Sequence, residues 1–377
     1  MTQGTALAYD DLVGGDSVRR RTGDLMFRSR LTPVLPISAF LIPVVACLCS
    51  ADPGPKRVFA YYQVPALDSA ADVSLEAFRD KVTDVSPTIL EITDGAGRVE
   101  VTPETGYLDI LTGCNVSIAP LVRNLKFDKK IAKWALLSPS AQKRTVAGIL
   151  DVLQKEPRYS GIVVDIENTS PSDRTYYTEF IARLSDALHS KGYKVYAVVG
   201  PKEKDIPKSL WVRAFDYKAL GRYSDFVILM TYNQHWRGGP PGPCAALDWF
   251  ESCVKYAVEC IPPEKVIVGI PLYGYDWPED GPATSLTHKK AAALIDRIKP
   301  EFIHWHEDWA TPWFTYTEKD VKHEVWFEDV RSVEAKLDVC RKLGVGGVAA
   351  WRLGDEDPKF WDAIARYSGG SDHCSTN

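Results

Sequence analysis

The chain has 377 residues, 45 Lys+Arg against 50 Asp+Glu, and a formal net charge of −5. With 45% hydrophobic and 25% charged residues it has the composition of a folded globular protein, which excludes disorder, collagen and coiled coil, and its mild acidity leaves no electrostatic footprint for nucleic acid. The length allows two domains of about 150 residues or one (β/α) barrel of about 250.

Residues 1–55 differ from the rest. A polar stretch carrying Arg19, Arg20, Arg21, Arg28 and Arg30 precedes LTPVLPISAFLIPVVACLC, and Pro33, Pro36 and Pro43 argue against a membrane-spanning helix. A basic region, an apolar stretch and small residues predict an export signal or N-terminal anchor, with cleavage after Ala51. A start at Met26 rather than Met1 gives a signal of more usual length. VVAC, ending at Cys47, loosely resembles a bacterial lipobox and offers a lipoprotein as the alternative. The expected location is therefore outside the cell or at its envelope, with membrane association only through this segment. Six cysteines remain after its removal: Cys114, Cys244, Cys253, Cys260, Cys340 and Cys374. They form no CxxC pair, which argues against a zinc ribbon and leaves any disulfide pairing open. Cys253 and Cys260 stand about 10 Å apart along a predicted helix, too far for a direct bridge.

From Arg57 to about Tyr367 the pattern alternates. RVFAYYQ, PTILEITD, VSIAPLV, GIVVDIE, KVYAVVG, FVILMTY, KVIVGIP and GVAAWRL are eight short apolar runs, as expected of strands buried on both faces of a parallel sheet. Between them lie helical patterns. SPSAQKRTVAGILDVLQKE has Ser138 as cap, Pro139 at the first position, and Val146, Ile149, Leu150 and Leu153 on one face. YYTEFIARLSDALHSKG aligns Tyr177, Ile181, Leu184 and Leu188 and stops at Gly192. SVEAKLDVCRKLG takes Ser332 as cap and Gly344 as stop, with Cys340 on its apolar face beside Val333 and Leu337. The pattern predicts an α/β fold, a (β/α)₈ TIM barrel over residues 56–368; a doubly wound sheet would want a Gly-rich loop after the first strand, and none follows RVFAYYQ. The span between the seventh and eighth strands is too long for one crossover. Its aromatic runs PWFTYT and HEVWFED, with the helical HKKAAALIDRI, predict a small α+β insertion at about 278–330. Residues 369–377 read as a tail.

The most informative segment is SGIVVDIEN, residues 160–168, where an apolar strand ends in Asp165 and Glu167. Side chains two apart on a strand share a side, so both acids should face the barrel interior near its C-terminal mouth, where barrel enzymes place their chemistry. Two carboxylates so close do not both ionise easily, and one should stay protonated towards neutral pH.

SGIVVDIEN resembles the catalytic strand of the family-18 glycoside hydrolases, DGxDxDxE. It keeps Gly161, Asp165 and Glu167 and replaces the other two acids by Ser160 and Val163. MTYN (Met230 to Asn233) resembles the family's M-x-Y-D, GIPLYGYDW its seventh strand and loop, and GGVAAWRLG its eighth strand with Trp351. The branch related to spore-germination and cortex-lytic N-acetylglucosaminidases carries stretches like MTYNQHWRGGPPGPCAALDWF and WRLGDEDPKFW and tends to relax the early acids.

The resemblance implies a retaining hydrolase of β-1,4-linked, N-acetylglucosamine-containing glycan that works by substrate assistance, with no cofactor and no metal. Glu167 would protonate the leaving oxygen and later activate water. Asp165 would hold the acetamido N–H, Tyr232 would position that group, and Trp351 would form the floor under the sugar. Asn233 stands where the family has Asp: it keeps hydrogen-bonding capacity but not charge. Tyr62, Trp236, Tyr273, Trp326 and Arg331 are further candidate substrate contacts, as are Gln63, Glu91, Asp94, Tyr275, Asp276, Trp277, Glu328 and Asp329. Part of the excess of 11 Trp and 17 Tyr falls at the named positions after the sixth, seventh and eighth strands, where stacking on a glycan is favoured over core packing. The alternatives are a non-catalytic sugar-binding protein on the same barrel, disfavoured because Glu167 is present, and a metal-dependent deacetylase, for which His304 and His306 lack a further ligand cluster. A monomer is expected. Peptidoglycan or chitin, and endo or exo action, stay open.

Overall fold

A computed structural model describes residues 56–64, 70–102, 106–206, 209 and 212–369. The export, lipidation and tail readings lie outside the described residues.

The eight apolar runs form the eight strands of a closed barrel: β1 Arg57–Tyr62, β2 Asp84–Ile92, β3 Leu121–Asn124, β4 Gly161–Asp165, β5 Lys194–Val199, β6 Phe226–Leu229, β7 Val266–Pro271 and β8 Gly347–Trp351. Each pairs in parallel with the next, and β1 pairs with both β2 and β8. The third run is interrupted: Ser117–Ile118 forms a short separate strand on β2 before Pro120, whose missing N–H breaks the ladder.

Both faces of every strand are buried, against different partners. Phe59, Tyr61, Val163, Tyr196, Ile228, Ile267 and Ala349 fill the barrel interior. Their alternates Val58, Ala60, Tyr62, Ile162, Val164, Val227 and Val348 pack against the surrounding helices. This double burial is why the runs lack polar alternation.

The helices begin where local chemistry dictates. Ser138 caps Pro139–Lys155 by accepting from the Ala141 N–H, with Val146, Ile149 and Leu153 buried. Tyr177, Ile181, Leu184 and Leu188 of Arg174–His189 are all buried, and Gly192 takes φ +82° just beyond. For Val330–Lys342 the cap is Asp329 rather than Ser332. The Asp329 carboxylate accepts from the Ser332 N–H while the Ser332 hydroxyl accepts from the Asp329 N–H, so Ser332 is the third member of the capping box.

Between β7 and β8 the chain builds a five-stranded antiparallel sheet from Tyr273–Pro278, Thr284–Thr287, His304–His306, Thr311–Glu318 and Val321–Trp326. It begins at Tyr273 rather than near 278, because the YGYDW segment leaves the barrel at once and pairs with Val321–Trp326. One face packs Leu286, Phe314 and Val325 against Ala291 and Leu294 of the helix His288–Ile298. The other face aligns Tyr275, Trp326 and Trp313 in one cross-strand row, which is continuous with the aromatic filling of the barrel.

Glu328, just after the last of these strands, is tied to the outer helix Val330–Lys342. Its carboxylate lies 2.8 Å from the Lys336 ammonium, with the two side chains 1% and 0% exposed, and also accepts from the Ser332 hydroxyl. Glu328 therefore anchors the insertion and is not open to a ligand. Removing one partner leaves a buried charge uncompensated. Lys336→Met is expected to lose about 3–5 kcal/mol in urea unfolding, and the Glu328→Leu/Lys336→Met pair to recover most of it. Equal losses in the single and double variants would contradict this.

Candidate active site

Asp165 is the last residue of β4, and Glu167 stands two residues on. Asp165 is 6% exposed and Glu167 half-buried. Burial raises the Asp165 carboxyl to about 7, opposed by the Arg123 guanidinium. Burial, and after it the Asp165 charge, pushes Glu167 well above the carboxylate range. Both carboxyls are thus held above the ordinary range, and Glu167 has the Asp165 charge as well as burial acting to keep its proton on. Arg123 pairs in register with Asp165 and is itself held by Glu91 at 3.0 Å.

Two asparagines fix the segment that carries the acid. Asn124, fully buried at the end of β3, accepts from the Glu167 N–H at 3.0 Å and donates to its carbonyl at 3.2 Å. Asn168 adopts φ +56°, and its amide donates to the Phe127 carbonyl at 2.9 Å. Neither was legible as a positioning residue, because an Asn after an apolar run reads equally well as a turn or cap.

The mouth above the acids is aromatic. Trp351 ends β8 and remains half-exposed, its ring 5.0 Å from Tyr61 and stacked at 6.1 Å on Tyr232. Tyr232 is buried, and its hydroxyl makes no hydrogen bond to the described residues. The Asp165 Oδ1 and the Tyr61 hydroxyl are buried and equally without a partner among them.

Tyr62 is not at this site. It points outward to the helix layer, packs on Tyr107 and donates to Asp72, whereas Tyr61 faces the interior near the acids. A strand turns successive side chains to opposite faces, so choosing Tyr62 over Tyr61 reversed the side.

Asn233 sits at φ +60° in the turn after β6. Its side-chain oxygen accepts from the Tyr273 and Tyr275 hydroxyls at 2.6 and 2.8 Å, and its N–H lies 3.5 Å from the Cys244 sulfur. With the oxygen occupied, the amide NH₂ is left as a donor. Tyr273 also meets Tyr232 edge-on, so Asn233, Tyr273, Tyr232 and Trp351 form one connected group.

Other candidates are engaged elsewhere. Trp326 stacks on Trp313 at 5.4 Å, and its indole N–H donates to Glu324. Trp236 covers the turn glycines Gly238 and Gly239. Arg331 pairs with Asp329 and lies 4.4 Å over the Trp305 ring. Trp277 donates to the Gly239 carbonyl, and Asp276 accepts from Tyr316 and lies 2.8 Å from the His323 ring. His304 and His306 stack on Trp313 and Trp309 at 4.8 and 3.9 Å. Asp94 closes a turn on the Ala96 and Arg98 N–H groups.

The chain is similar to known glycosidases throughout this region. It is 34% identical over 245 residues to an uncharacterized glycosylase, YvbX, of Bacillus subtilis (strain 168), covering 64% of this chain and 70% of the relative. It is 31% identical over 303 residues to the cortical fragment-lytic enzyme of Bacillus cereus, covering 79% and 67%. It spans 63% of the length of the Bacillus subtilis cortical fragment-lytic enzyme. Among solved structures, a chitinase from Chromobacterium violaceum ATCC 12472 superposes with a TM-score of 0.77 at 30% identity, covering 83% of this chain and 98% of that one. The Bacillus cereus spore cortex-lytic enzyme SleL gives a TM-score of 0.76 at 27% identity, covering 83% and 75%. The model of the family described as Glycosyl hydrolases family 18 matches residues 126–357, which include both acids, Tyr232, Asn233 and Trp351. The chain belongs to glycosyl hydrolases family 18.

Proposed function

We propose that this glycosidase cleaves β-1,4 bonds next to N-acetylglucosamine in peptidoglycan with retention, using the substrate's acetamido group as nucleophile. The observation that carries the reading is the pair of Asp165, buried with its Oδ1 unpartnered among the described residues, and half-buried Glu167 at the end of β4, beside the aromatic mouth of Trp351 and Tyr232. Glu167 gives its proton to the leaving oxygen as the C1–O bond breaks. The acetamido oxygen bonds to C1 and forms an oxazolinium. Asp165, whose Oδ1 has no other partner among the described residues, accepts from the acetamido N–H and balances the new positive charge. Tyr232 orients the acetamido group for in-line attack, which is catalysis by positioning. Water then attacks C1, the oxazolinium reopens, and ionised Glu167 takes the water's proton. Family members with this mechanism need no protein nucleophile.

The choice of peptidoglycan is supported by the cortical fragment-lytic relatives. Mass spectrometry of products from purified peptidoglycan and from chitin, with NMR of the first-formed anomer, tests both parts. Muropeptide fragments with a β-anomeric reducing end are expected. Chitin oligomers alone would overturn the substrate, and an α-anomer would overturn the mechanism.

A further inference from the structure

We propose a second glycan-holding site outside the catalytic mouth, in which Trp134 stacks on a sugar ring and Arg144 binds a carboxylate carried by the same strand. This deepens the reading of an acidic glycan substrate and rests on it.

Trp134 is 57% exposed, whereas Trp277, Trp326 and Trp361 are 4% exposed or less. It projects from the helix Lys129–Leu137 beside a recess of about 450 Å³ lined by Gly95, Ala96, Trp134, Ser138, Ser140 and Arg144. Leaving an indole in water forfeits the burial that normally holds it, and the recess beside it is open to a ligand.

The platform is built rather than loose. The loop after β2 runs directly against the base of the indole: a Cβ at Gly95 would come within 2.6 Å of the Trp134 Cβ. The same loop is seated on the helix Pro139–Lys155, where Thr145 donates to the Gly97 carbonyl and Gly97 takes φ +80°. The loop thereby backs the base of the side chain and leaves the indole largely outward.

The rim supplies polar chemistry. The Ser138 and Ser140 hydroxyls lie 2.8 Å apart at its edge. Arg144 is exposed and makes no hydrogen bond or close ion pair with the described residues; it feels the charge of Asp94, whose carboxylate is bonded instead to two backbone N–H groups and paired with Arg98. Lys133 adds a second cation, 6.0 Å from the Trp134 ring. A flat apolar face edged by hydroxyls suits a pyranose, whose axial C–H groups stack while its hydroxyls bond at the edge. A guanidinium with no carboxylate bonded to it selects a strand that carries free carboxylates, as the peptide stems of peptidoglycan do and neutral chitin does not.

The location fits a polymer. The recess is formed by the loop after β2 and by the two helices that follow β3, the strands whose ends carry Glu91 and Arg123. A strand held at Trp134 would be kept close to the catalytic mouth, which raises its effective concentration there.

The test uses the full chain carrying Glu167→Gln, so that adsorption is read without turnover, on insoluble purified peptidoglycan and on chitin. Adding Trp134→Ala is expected to lower adsorption to peptidoglycan about five- to tenfold, and Trp134→Tyr to retain most of it. Adding Arg144→Ala should weaken binding to peptidoglycan but not to chitin, and the difference should vanish at high salt. With Glu167 intact, Trp134→Ala should cleave short soluble N-acetylglucosamine oligomers at the parent rate. Unchanged adsorption of Trp134→Ala overturns the site, and equal loss of Arg144→Ala on both polymers overturns the carboxylate assignment. Failure of the parent chain to cleave either polymer would instead strike the catalytic reading, and the adsorption arms would still decide this one.

Discussion

Glu167→Gln is expected to lower hydrolysis about a thousandfold while leaving adsorption to glycan unchanged. The amide matches the acid in shape, so the clamp of Asn124 on the residue 167 backbone is kept and only the transferable proton is lost. The same variant makes a separate prediction about stability. Burial and the Asp165 charge raise the Glu167 carboxyl above its unfolded value. Such a group stabilises the fold fully below its unfolded pKa, and that contribution is lost as pH rises through the folded pKa. The parent and Glu167→Gln should therefore melt together near pH 4, and the variant should melt higher near pH 8. A rate loss below tenfold, or identical melting at both pH values, would remove Glu167 from the acid role.

The barrel was legible because its strands are buried on both faces and so read as unbroken apolar runs separated by capped helices. That same continuity hid the direction of each side chain. In RVFAYYQ nothing apolar or polar alternates to mark the inner face, and Tyr61 and Tyr62 became distinguishable only once the register of β1 was fixed against β2 and β8. The acids were legible because charge at the end of an apolar strand is conspicuous. Their support was not: Asn124 lies 43 residues before Glu167, and only the parallel neighbourhood of β3 and β4 joins them. The aromatic surplus divided in a way that sequence order alone does not show. Trp351 and Tyr232 frame the mouth, Trp326 and Trp313 build a wall, and Trp134 stands apart on the surface. Asn233 was visible as a departure from the family pattern, but its two tyrosine donors come from a strand about 40 residues later in the chain, so what the amide accomplishes required the fold.

Asp165→Asn is expected to reduce kcat roughly a hundredfold and to shift the alkaline limb of the kcat/KM profile to lower pH. The first effect follows from charge. Asn can still accept from the acetamido N–H, but it cannot balance the oxazolinium in a buried site, where fixed charge counts for more than in water. The second follows from the coupling between the acids. The Asp165 charge is one of the two influences that raise Glu167, the other being burial. Removing that charge leaves burial alone, so Glu167 should lose its proton at a lower pH. Because the leaving oxygen needs the protonated form, activity should then fall earlier as pH rises. Val163 makes this test clean: the family acid that would stand one inward turn below Asp165 is a buried apolar side chain here, so no second carboxylate on β4 below Asp165 takes over its charge. A profile with an unmoved alkaline limb would show that Asp165 does not set the acidity of Glu167, and a kcat near that of the parent would show that its charge does not serve the reaction.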